Sequence, residues 1–142
     1  MKKYVSFFLV LVITLSFCGC NNAKNNNTEI KLGTKDGIAY FEINGKAPEI
    51  IISSTEIGTE DIRITDDDFC DKLINAVDKK NAGDDFCYCL GDYQLTIDNK
   101  YTIRLHENKL DIISNTKEFD DFTVNCSKEE TKELYDIIKE AT

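Results

Sequence analysis

Cysteine is the residue type in this chain with the most chemistry to offer. There are six: Cys18, Cys20, Cys70, Cys87, Cys89 and Cys126. The last four each fall on an apolar face, so they can meet inside a fold. An even number of cysteines in an exported chain points to disulfides. Cys87 and Cys89 lie two apart in an alternating, strand-like run, where their Cα atoms would be about 6.6 Å apart. That is the outer limit for a direct bond. The expectation is therefore that each pairs with a distant partner, Cys70 or Cys126, with the pairing left open. Each such closure would contribute roughly 2–4 kcal/mol. The alternatives are inert free thiols and a redox-active Cys-x-Cys pair, the latter opposed by Asp84 and Asp85, which disfavour thiolate. Four-thiolate metal binding usually needs paired C-x₂-C knuckles. They are absent, and no metal is expected.

His106 is the sole histidine. A histidine with a carboxylate nearby can act as a base. Here it falls on the polar face of a strand with Thr102 and Arg104, the ordinary setting of a solvated sheet histidine. These three, joined to Tyr88, are the candidate binding surface. The chain contains no G-x-S-x-G, H-E-x-x-H, P-loop or dinucleotide pattern. A non-enzymatic domain without cofactor is expected; the alternatives are a hydrolase-type enzyme without a motif or a thiol–disulfide module using Cys87 and Cys89. Asp66-Asp67-Asp68, Asp84-Asp85 and Asp120-Asp121 lack the spacing of a calcium loop. They read as helix-end and loop solvation. Phe86, Tyr88 and Leu90 line the face opposite Cys87 and Cys89. Either an N-terminal hairpin covers them, or they form an exposed aromatic patch of the kind that marks a partner site.

The elements that must position these residues follow from periodicity. Asn44-Gly45 predicts a hairpin between 38–43 and 49–53, because both residues tolerate positive φ. Ile62 and Ile64 mark a short strand. Thr65 is placed to cap a helix over 66–80, with acids in its first turn and an apolar stripe of Phe69, Cys70, Leu73, Ile74 and Val77. Alternation over 86–97, 101–105 and 110–114 predicts a three-strand meander with one wet face. Phe122, Val124 and Cys126 make a further strand. Ser127 and Glu130 form a capping box for a closing helix that buries Leu134, Ile137, Ile138 and Ala141. The expected fold is α+β: antiparallel sheet, N-terminal hairpin plus meander, packed by two helices in the order β-β-β-β-α-β-β-β-β-α.

The N-terminus has Lys2 and Lys3, then an uncharged apolar run of about 15 residues, the layout of a secretory signal. A membrane-spanning helix usually needs roughly 20 apolar residues. The run ends at Cys18-Gly19-Cys20 and passes into Asn21-Asn22-Ala23-Lys24-Asn25-Asn26-Asn27, too polar to pack and read as a flexible linker. Gly19-Cys20 resembles the end of a bacterial lipoprotein box, although Phe17 and Cys18 depart from its usual Leu and small residue. The layout is similar to that of small Gram-positive lipoproteins of unknown function. The resemblance implies cleavage before Cys20, diacylglycerol on its sulfur, and anchoring to the outer face of the cell membrane. The alternatives are a secreted chain or a single N-terminal membrane anchor. The expected organisation is a signal peptide over 1–19, a lipidated cysteine and Asn-rich linker over 20–29, and one extracytoplasmic domain over 30–142.

Charge bounds the partners. The 142-residue chain carries a net −9, and loss of Lys2 and Lys3 with the leader takes this to −11. Nucleic acid would need a basic footprint. The expected partners are the membrane, through the lipid, and an extracytoplasmic protein or envelope component.

Overall fold

A computed structural model describes residues 27–56 and 58–142. The leader, Cys18, Cys20 and most of the Asn-rich linker lie outside the described residues. The order is β1 (Glu29–Lys35), β2 (Ile38–Asn44), β3 (Ile50–Ser54), β4 (Ile62–Ile64), α1 (Asp67–Val77), β5 (Ala82–Gly83), β6 (Tyr93–Ile97), β7 (Tyr101–Leu105), β8 (Lys109–Ser114), β9 (Phe122–Asn125) and α2 (Lys128–Glu140). The fold is α+β with antiparallel sheets and two helices, as expected. β1 and β2 form a two-stranded sheet. The other seven strands form a second, ordered β4-β3-β6-β7-β8-β9-β5.

Period-two alternation builds the core. Ile52, Leu95, Ile103, Ile112 and Phe122 are paired in one row across β3, β6, β7, β8 and β9. They are buried with Phe69, Leu73, Ala76 and Val77 of α1, Leu134 and Ile138 of α2, and Leu32 and Phe41 of the hairpin. The opposite face of the sheet carries Ser53, Gln94, Arg104, Asp111 and Thr123 in the next row. Apolar residues facing the helices on one side and polar residues on the other are the division that the meander pattern predicts.

Several local expectations are corrected. The hairpin turns at Asp36-Gly37, where φ is 53° and 76°. Those two positive values suit the tight turn that matches strand twist. Asn44-Gly45 instead ends β2, and β3 pairs with β4 and β6, not with β2. The hairpin packs on α1: Phe41 N donates to Asp78 Oδ1 and Ala39 N to Lys80 O. Asp66, not Thr65, caps α1, its side chain accepting from Phe69 N at 2.8 Å. The capping box of α2 forms as expected, with Ser127 and Glu130 each accepting from the other's backbone amide. Ala141, expected to be buried, is exposed at the C-cap.

The largest correction concerns 86–97. Only Tyr93–Ile97 is strand, and 84–92 is loop. Gly91 has φ of 70°, and a bond joins Cys87 to Cys89. Neither is compatible with a continuous extended strand.

Candidate functional site

The loop over 84–92 crosses the polar face of the sheet at one end of β6, β7 and β8. Its anchorage comes from both sides. Gly91 approaches β7 so closely that a Cβ there would lie 2.7 Å from Leu105 O and 3.3 Å from His106 Cε1. Only glycine combines that approach with positive φ at little cost. Asp92 N then donates to Leu105 O at 3.0 Å, starting β6. On the other side Lys109 Nζ donates to Asp85 O at 3.1 Å.

The platform beneath is a charged cluster. Register places Arg104 opposite both Gln94 and Asp111. Arg104 turns toward the loop: Nη1 donates to Cys89 O at 3.4 Å, and its guanidinium lies 5.9 Å from the Phe86 ring centre, a cation–π distance. Its Nε is buried and has no partner among the described residues. Asp111 is fully buried. Its Oδ2 meets His106 Nε2 at 2.8 Å, and its Oδ1 lies 3.4 Å from Lys109 Nζ. The Lys109 contact is an ion pair, but its alignment falls short of a hydrogen bond, so Oδ1 has no hydrogen-bond partner among the described residues. A buried carboxylate needs such charged neighbours to remain in a fold.

The four residues expected to share a surface are therefore divided. Arg104 and His106 both face the loop, Arg104 at Cys89 O and Phe86 and His106 beside Gly91, and His106 alone is held by the Asp111 side chain. Thr102 lies two positions away on β7 and exchanges hydrogen bonds with Asn115. Tyr88 is on the loop, 92% exposed. His106 is a half-buried residue held by a carboxylate, not the solvated sheet histidine expected. That pairing orients an imidazole, but no hydroxyl or thiol is hydrogen-bonded to His106 among the described residues. Asp111, Lys109 and Gly91 were not singled out by sequence. A lone Asp between Leu110 and Ile112 was the available signal.

The cysteines also differ from expectation. Cys87 and Cys89 are bonded to each other, with Cα atoms 5.2 Å apart. The 6.6 Å objection assumed an extended strand, and the loop removes it. Cys70 and Cys126 are free and buried. Cys126 Sγ lies 3.3 Å from Ala76 O, which is about 9 Å along the axis of α1 from Cys70. Burial, reinforced by neighbouring carboxylates, pushes both thiols up to about 11. Buried thiols of that kind are inert. In the chain-entropy account a Cys70–Cys126 bridge would contribute about 4 kcal/mol and the Cys87–Cys89 closure only about 1.5. The bond that forms is the one that stabilises least.

The aromatic patch is not covered by the hairpin. Tyr88 packs edge-on against Phe86, with ring centres 5.5 Å apart, and Leu90 is 53% exposed. No group of three or more metal-ligating side chains occurs among the described residues. No described helix is long and apolar enough to cross a membrane. An open cleft of about 590 Å³ lies at the far end of β6, lined by Asn27, Thr28, Glu49, Asp98 and Asn99 among others. The described chain thus enters the domain at the end opposite the aromatic loop. No family model, curated protein or solved structure matches the chain.

Proposed function

We propose that this chain is an exported, lipid-anchored binding module that presents its Phe86–Leu90 tip to an extracytoplasmic polypeptide. The observation that carries the reading is Tyr88 at 92% and Leu90 at 53% exposure on a loop fastened by Arg104, Lys109 and Gly91. Exposed apolar side chains on a fixed support are the mark of a contact surface. The leader and Gly19-Cys20 support export and lipidation. Six residues lie between Cys20 and Asn27, and the seven Cα-to-Cα steps reach at most about 25 Å. A tether of that length would hold the Asp98-Asn99 end near the bilayer and turn the tip outward. The acidic charge fits a partner other than nucleic acid.

A photoreactive side chain placed at Tyr88 in growing cells tests the reading. It predicts a discrete adduct with an exported polypeptide, with the same substitution at Lys35 giving none. Absence of any adduct specific to position 88 removes the binding role.

A further inference from the structure

The tip holds two features that the binding role alone does not use: a bond between Cys87 and Cys89, and the exposed side chains of Tyr88 and Leu90 on either side of Cys89. We infer that Cys87–Cys89 is a thiol–disulfide exchange site that oxidises thiol pairs on unfolded, exported polypeptides. This inference rests on the proposed location outside the cytoplasm, because a cytoplasmic reductant would keep the pair as thiols.

Three observations converge. Cys89 is exposed and Cys87 half-buried, so Cys89 Sγ is the sulfur open to an incoming thiolate. Exposed disulfides are the labile ones. The backbone N–H of Cys89 donates to Cys87 Sγ at 3.2 Å, a donor ready for the charge that grows on Cys87 as it leaves. The Arg104 guanidinium adds positive charge against the same loop, through Cys89 O and the Phe86 ring. The buried sulfurs, Cys70 and Cys126, have no such access.

The steps balance. A substrate thiolate attacks Cys89 Sγ, the Cys87–Cys89 bond breaks, and the electron pair leaves on Cys87, which takes up a proton. The substrate's second thiolate then attacks its own sulfur in the mixed disulfide. The substrate disulfide forms, and Cys89 leaves and is protonated. Two substrate thiols are oxidised and two cysteines of this chain are reduced. Another turnover needs an external disulfide to reoxidise the pair. Tyr88 and Leu90, on either side of Cys89, would hold apolar segments that only unfolded chains expose.

The test uses the mature, lipid-bearing protein purified from membranes, oxidised, with a synthetic apolar peptide bearing two cysteine thiols. The expected result is one peptide disulfide per chain, formed at least about tenfold faster than with oxidised glutathione at equal concentration. A one-thiol peptide should be trapped on Cys89, not Cys87. Tyr88→Ser with Leu90→Ser changes only exposed side chains. It should slow the apolar peptide about tenfold more than it slows reduction by dithiothreitol. Transfer no faster than with glutathione, adducts on Cys87, or a bond reducible only after unfolding would each overturn the inference. The chemistry in solution does not depend on lipid. A chain that transfers its disulfide but carries no acyl group would sink the anchoring alone.

Discussion

Replacing Asp111 by Asn should destabilise the domain by about 2–3 kcal/mol, because its carboxylate is fully buried. At an effective dielectric of 20, a carboxylate oxygen 3.4 Å from an ammonium gains roughly 5 kcal/mol of Coulomb energy. Desolvation of the carboxylate takes back several kcal/mol. The pair is thus worth little beside a well-packed apolar residue. Its loss is a different matter, because the partners remain. Removing one member of a buried pair costs about 3–5 kcal/mol when the other is left dry. Here the side chains of His106 and Lys109 keep 16% and 21% exposure, so both can recover some water. That puts the cost below the full range. With a urea slope of about 1.5 kcal/mol/M, the midpoint should fall by about 1.3–2 M. Chemical denaturation followed by circular dichroism reads it directly. His106→Gln should remove part of the same energy, so the double variant should lose less than the sum of the singles. A midpoint within about 0.3 M of the parent, or strictly additive losses, would refute the claim that these side chains act as one unit.

Gly91→Ala should cost about 2–3 kcal/mol, since it adds left-handed strain to a clash with a backbone oxygen that cannot swing away. The same denaturation series checks it, and a neutral result would place the loop elsewhere. Burial of Glu130 opposes its ionisation, yet the Lys80 ammonium and the Ser127 amide hold its carboxyl below the usual range. Its contribution is therefore present above the ordinary glutamate value and lost as pH falls through the lowered one. Glu130→Gln should be less stable than the parent at neutral pH, with the gap closing in acid. Titrating stability against pH for both chains measures this, and a gap that is constant with pH would contradict it. Cys70 and Cys126 should resist alkylation in the native protein at mildly alkaline pH and react at once in denaturant. Mass spectrometry counts the labelled thiols, and rapid native labelling of either would show that its site is open.

Alternation carried far for the meander. Tyr101, Ile103 and Leu105 are buried, while Thr102, Arg104 and His106 face away, and β8 follows the same period. The Ser127–Glu130 box marked the start of α2 because a cap is a local interaction. Local rules failed where two signals competed or a local covalent bond intervened. Asp36-Gly37 and Asn44-Gly45 are both Asx-Gly pairs, and the choice between them is made by packing of β2 on α1. Phe86–Leu90 alternates like a strand, yet Cys87 and Cys89 are bonded to each other and Gly91 takes a positive φ. Alternation alone does not separate those cases. At the site, the common face of Arg104 and His106 was legible from β7. Asp111 was not, because its role appears only once register sets β8 beside β7.

The most direct measurement is the mass of the mature protein taken intact from membranes, before and after reduction. The account predicts residues 20–142 bearing diacylglycerol, with one disulfide at Cys87–Cys89 and free thiols at Cys70 and Cys126. A full-length chain without acyl mass, recovered from the cytosol with all cysteines reduced, would contradict it.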